Sequence, residues 1–169
     1  NGTGDVNLGA DTVQVGDNNV DATLTTQGTG DLTLNTNNGT NAGSIKLLDG
    51  ANGNIEFTNN GTGVVKFNDA AYFPEADLTF DVTQDWDVQA SPVAKVTLTN
   101  NVTFDAPSNP TTGQFISILC IQDVTGSRTI AWNAVFEFTA DTAPTATTTA
   151  DQADLFSFRY NGAKWLSVG

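Results

Sequence analysis

The chain has 169 residues, with 19 acidic against 6 basic side chains for a net charge of −13, no histidine, no methionine and one cysteine. A surface this acidic repels phosphate backbones and anionic membranes, which argues against nucleic acid as a partner. Without histidine there is no Ser-His-Asp or Cys-His constellation and no ordinary zinc site, and a lone cysteine forms no intrachain bridge. No apolar run approaches the eighteen or so residues that span a bilayer, so no membrane insertion is expected.

The first seventy residues repeat one short phrase: GTGDVNL from Gly2, GTGDLTL from Gly28 and GTGVVKF from Gly61, with looser copies between them. Each copy is a Gly/Asn/Thr/Asp turn followed by two apolar residues that flank one polar residue. The pairs are Val6 and Leu8, Val13 and Val15, Ala22 and Leu24, Leu32 and Leu34, Ile45 and Leu47, Ile55 and Phe57, Val65 and Phe67. Such pairs predict very short period-two strands with one apolar face. Their regular recurrence predicts a stacked, quasi-one-dimensional β architecture rather than a low-complexity linker. Two apolar side chains contribute about 1.5–3 kcal/mol each when buried. Ordering roughly ten residues costs about 1–2 kcal/mol apiece, so one rung alone is unstable. A β-helix-like shaft of three intertwined chains, its core formed by these pairs, is therefore expected. The chain begins inside a repeat phrase and lacks methionine, so a piece of a longer polypeptide is also expected.

Composition shifts near Asn68–Ala71, where the glycine phrase stops and aromatics appear, which predicts a shaft over 1–70 and a head over 71–169. In the head, ADLTFDV places Leu78 and Phe80 on one face, and VAKVTLTNNVTFDA carries Val96, Leu98, Val102 and Phe104 with a turn or bulge at Asn100-Asn101. After the loop Pro107–Gly113, QFISILCIQ is apolar on both faces. Its second face either packs on a neighbouring subunit or makes the strand fully internal. TIAWNAVFEF, a long loop over Thr139–Asp151 and a terminal hairpin at Asn161-Gly162 complete the chain. A strict two-residue turn would oppose Arg159 and Lys164, so a longer loop is indicated. No segment has helical periodicity. The expected fold is all-β, the shaft followed by a β-sandwich, jelly-roll-like head.

The GTGDLTL-type rungs followed by QDVTGSRTIAW, FEFTADTAPTATTTADQADLFSF and YNGAKWLSVG resemble the distal ends of bacteriophage tail fibres and receptor-binding tips. The resemblance covers the shaft pattern and most of the head from about Val93. It implies a homotrimeric virion component that attaches to a host-cell surface receptor, a glycan or an outer-surface protein, by multivalent contact. The iron sites of long tail-fibre needles use histidine pairs, which this chain lacks; no cofactor is expected. Alternatives of other classes are a purely structural spike or decoration protein and a glycan-cleaving tailspike.

A tailspike hydrolase needs two carboxylates across a groove. Nothing in the spacing of the carboxylates selects a pair, so no enzyme activity is expected. Asp81, Asp85 and Asp87 have a loose calcium-loop flavour but lack the glycine and closing Glu of an EF-hand, and a solvated acidic edge explains them better. Phe156, Phe158, Trp165 and Trp132 fit inward faces. Trp86, between two aspartates and outside any clear alternation, is the candidate exposed sugar platform, unless it plugs the shaft–head junction or meets another subunit. The loops Asp123–Arg128 and Thr139–Asp151 are long enough for a recognition surface, with Asp123 and Arg128 as its candidate ligand-binding side chains.

Overall fold

Glycine-rich turns decide the topology of the first unit. A computed structural model of the chain describes residues 23–36, 40–51 and 53–169. Contacts divide the chain into Asn1–Asp69 and Ala70–Gly169. Among the described residues the architecture is all-β, with one short 3-10 turn at Thr139–Asp141.

In the first unit, β1 (Leu32–Asn35), β2 (Ser44–Leu47) and β3 (Ile55–Thr58) form an antiparallel meander. Register pairs Leu34 with Ile45 and Ile45 with Phe57, and Leu32 with Leu47 and Leu47 with Ile55. Directly paired residues share a face, so all six apolar side chains stand on one side. Thr33, Lys46 and Glu56 stand on the other, and Lys46 also pairs with Asp31. In the β2–β3 connection Gly50 adopts φ 115°, and a Cβ on Gly53 would lie 2.1 Å from the Leu48 carbonyl oxygen. Each strand lies antiparallel beside its predecessor, and the described residues form no closed β-helix. The expected rung pairs Val6/Leu8 and Val13/Val15 lie outside the described residues.

The second unit builds two sheets over one core. The chain passes from β4 (Ala76–Asp77) to β5 (Thr83–Gln84), from β6 (Val93–Leu98) to β7 (Val102–Phe104), and from β8 (Phe115–Gln122) to β9 (Ile130–Trp132). Each step changes sheet. Consequently β4, β6 and β8 pair in parallel, and so do β5, β7 and β9. The larger sheet continues through β11 (Ala153–Tyr160), β12 (Trp165–Ser167) and β10 (Phe136–Glu137), giving the order β10-β12-β11-β8-β6-β4. This corrects the jelly-roll expectation. A jelly roll is antiparallel throughout, whereas here the Asn100-Asn101 step carries the strand across the core rather than reversing it within a sheet.

Side chains from both sheets meet in that core: Val96, Leu98, Ile118 and Phe158 from one, Val102 and Phe104 from the other. Trp132 lies at the centre of an aromatic cluster. It stacks on Phe104 at 4.8 Å and meets Phe136, Phe138, Phe156 and Phe158 edge-on at 5.0–5.5 Å. Such pairs add about 0.5–1.5 kcal/mol beyond their burial. On β8, Ile116, Ile118 and Cys120 are buried, while Phe115 is exposed and Ser117, Leu119 and Ile121 are half-buried on the outer face. The terminal hairpin has a four-residue loop with Gly162 at φ 100°, so Arg159 faces Leu166 and the like-charge pair is avoided.

Candidate functional site

Two connections of the second unit run beside each other: the β8–β9 turn, residues 123–129, and the long segment that joins β10 to β11, residues 138–152. Gln122, 2% exposed at the end of β8, ties them. Its Nε2 donates to the Arg128 carbonyl at 2.9 Å and to the Thr147 carbonyl at 2.8 Å, and its Oε1 accepts from the Arg128 N–H at 2.9 Å. The backbone N–H of Ser127 donates to the Thr148 carbonyl at 2.7 Å, and Asp154 Oδ2 accepts from the Thr147 N–H at 2.7 Å. Gly126 is required where the segments touch. Its φ is 68°, and a Cβ would lie 2.6 Å from the Thr148 oxygen.

Asp123 and Arg128 face each other across the turn. Arg128 donates from Nε to Asp123 Oδ1 at 3.2 Å and from an η nitrogen to Oδ2 at 2.7 Å, a two-pronged pair. Asp123 Oδ1 also accepts from the N–H groups of Thr125 and Gly126. The Arg128 hydrogen bond holds the Asp123 carboxyl below the usual range, and those N–H groups reinforce it. Asp123 and Arg128 are brought together, then, but engage one another and shape the turn.

Trp86 is corrected. It is 2% exposed, in the core, and its Nε1 donates to the Ser91 carbonyl at 2.7 Å, so it offers no surface for a sugar. Gln84, Trp86 and Val88 are buried alternately, and the aspartates on the alternate positions point outward. Asp81 Oδ1 caps the Thr83 N–H, while Asp87 caps Gln89 and Ala90 and accepts from Asn109. Among the described residues no three metal-ligating side chains converge.

Two grooves among the described residues have a largely apolar lining. In the first unit, Leu34, Ile45, Phe57 and Val65 border a groove of about 430 Å³ on the apolar side of the meander. These side chains are open to solvent, Leu34 at 48% and Phe57 at 57%, and Leu47, Ile55 and Phe67 are exposed as well. In the second unit, a groove of about 290 Å³ is bordered by residues 156–158 of β11, by residues 167–169 at the end of β12, and by Phe138, Thr139, Thr142 and Pro144 of the segment after β10. Its floor holds Phe138 and Phe156; Ser167, Thr139 and Thr142 border it. Between Thr139 and Thr142, Ala140 and Asp141 adopt φ of 56° and 52°, left-handed values that non-glycine residues occupy at a cost of about 1–2 kcal/mol each. The sequence signalled the loop and the alternation of FEF, but the groove forms only when the loop folds back over the aromatic cluster. Residues 78–165, more than half of the chain, match the family described as putative phage tail fibre C-terminal domain. No curated protein and no solved structure matches the chain.

Proposed function

Because this chain belongs to the putative phage tail fibre C-terminal domain family, and so is a phage tail fibre protein, we propose that it is a non-enzymatic, homotrimeric attachment module whose head meets the host-cell surface. One observation carries the trimer: six apolar side chains of the meander share a face, and in a single chain five of them stand open while Leu32 is half-buried. A sheet that is apolar on one face must bury that face against another element. Three copies meeting about a common axis would supply the missing layer, the shaft of residues 1–70, and leave the polar side with Lys46 and Glu56 in water. The head, residues 71–169, would then be presented in triplicate.

Attachment follows from valency. Three heads on one fibre, and several fibres on one particle, raise the effective concentration of each weak contact. The charge of −13 leaves shape, hydrogen bonding and apolar contact to carry recognition of a glycan or an outer-surface protein. The proposal is tested with fluorescently labelled full chain on a panel of bacterial cells: saturable binding displaced by unlabelled chain is expected. Absence of binding to every strain, including the strain infected by the parent phage, would overturn it.

A further inference from the structure

We propose that the groove at the end of β12 is a saccharide subsite, taking one neutral hexopyranose unit that carries a methyl group, a 6-deoxyhexose or an N-acetylhexosamine. The proposal rests on the attachment reading for its biological setting and names the ligand class of one place on the head.

Four observations select that chemistry. The volume, about 290 Å³, stands at the lower end of small-ligand sites, with room for a single ring rather than a chain. The floor is preorganised. Phe138 is held edge-on by Trp132 at 5.5 Å and by Phe158 at 5.7 Å, and Phe156 by Trp132 at 5.0 Å. These rings, with Pro144, offer an apolar surface to the C–H face and methyl of a sugar. No charged side chain lines the groove, although the chain carries 25 of them. Gly169 also borders it, and a carboxylate entering it would lose water without finding a cationic partner.

The fourth observation is the hydroxyl set. Ser167 is register-paired with Phe158, which puts its hydroxyl on the aromatic side. Thr139 also lines the groove. Neither hydroxyl donates a hydrogen bond within the described residues, while Thr142 donates to the Ala140 carbonyl at 3.1 Å and retains acceptor capacity. The left-handed pair Ala140-Asp141 holds Thr139 and Thr142 at the rim. An apolar floor bordered by hydroxyls matches an amphipathic neutral ring better than a hydrocarbon or an anion.

The test is saturation-transfer NMR on the full chain with five separate probes. They are the methyl glycosides of a 6-deoxyhexose, an N-acetylhexosamine, glucose and glucuronic acid, and N-acetylphenylalaninamide. Saturable binding of one of the first two, with weaker glucoside and no glucuronide, is expected. Ser167→Phe fills the groove and is expected to weaken binding by more than about tenfold, while Ser167→Ala weakens it about threefold to tenfold, as for one lost hydrogen bond. Thr139→Ala, at an exposed position, provides the same readout should Ser167→Phe not fold. Glucuronide binding, preference for the phenylalanine amide, unchanged sugar binding in these variants, or no binding at all would each overturn the subsite. Cell binding by the labelled chain without sugar binding sinks the subsite alone; sugar binding in the groove without attachment to any cell sinks the attachment reading alone.

Discussion

Replacing Gln122 tests how the head holds its loops. The wild-type amide makes three hydrogen bonds from a site 2% exposed, two donated to the carbonyls of Arg128 and Thr147 and one accepted from the Arg128 N–H. Gln122→Leu keeps the volume and removes all three. At about 0.5–1.5 kcal/mol net per bond, with the two carbonyls and the N–H left partnerless, the loss is about 3 kcal/mol. For a unit of residues 70–169 this corresponds to a fall of about 12–20 °C in Tm. Gln122→Glu is the sharper variant. It retains the acceptor for Arg128 but cannot donate when ionised, so it is expected to be at least as destabilised as Gln122→Leu at neutral pH. Burial raises the folded-state pKa of such a carboxyl, so its deficit relative to wild type is expected to shrink as the pH is lowered towards that pKa. Thermal unfolding of the full chain by circular dichroism reads both. A change below about 1 kcal/mol in either variant at neutral pH would refute the central role given to this side chain.

Phe57→Asp places a carboxylate on the open face of the meander and is expected to convert the associated chain to monomer, read by sedimentation velocity, with the secondary structure of the head unchanged. Gly126→Ala forces a left-handed alanine whose Cβ would sit 2.6 Å from the Thr148 oxygen; a loss of at least about 1–2 kcal/mol is expected in the same unfolding assay. Asp123, held low first by the Arg128 hydrogen bond, contributes stability that is present above its unfolded pKa of about 3.9 and is lost as pH falls through the lower folded value. Asp123→Asn is therefore expected to be less stable than wild type at neutral pH, with the gap closing below about pH 4. Burial pushes the Cys120 thiol up to about 12, with Asp154 adding to the rise. Ellman's reagent is expected to label it only after unfolding, at a rate set by global opening.

Period-two patterning made most strands legible. The alternation in ISILCIQ grouped Ile116, Ile118 and Cys120 on one of two apolar faces, the one the structure buries, that in LFSFRY put Phe156 and Phe158 inward, and the like-charge argument at Arg159 and Lys164 pointed to the longer hairpin loop. Pairing direction was not legible. Asn100-Asn101 fits a reversal within one sheet as well as a step between sheets, and only the shared core of β6, β7, β8 and β9 selects the step. Trp86 was misplaced because Gln84 interrupts the apolar alternation. That glutamine is itself buried, donating to the carbonyls of Thr79 and Asp85 and accepting from the Asp81 N–H, so the polar letter concealed an inward position. Asp123 and Arg128 were chosen from one loop and are found paired, a contact five residues apart that spacing alone does not distinguish from two separate ligands. The groove beside β12 draws on residues from β11, β12 and residues 138–144, a conjunction that no local pattern encodes.

A sheet with one bare apolar face needs a partner, and sister chains are the partner invoked throughout. Multi-angle light scattering of the full chain, taken at several concentrations near neutral pH, measures this directly. The mass expected is three times the 17.7 kDa of one chain; a stable, well-folded species at 17.7 kDa across that range would contradict the trimeric shaft and the multivalent attachment built on it.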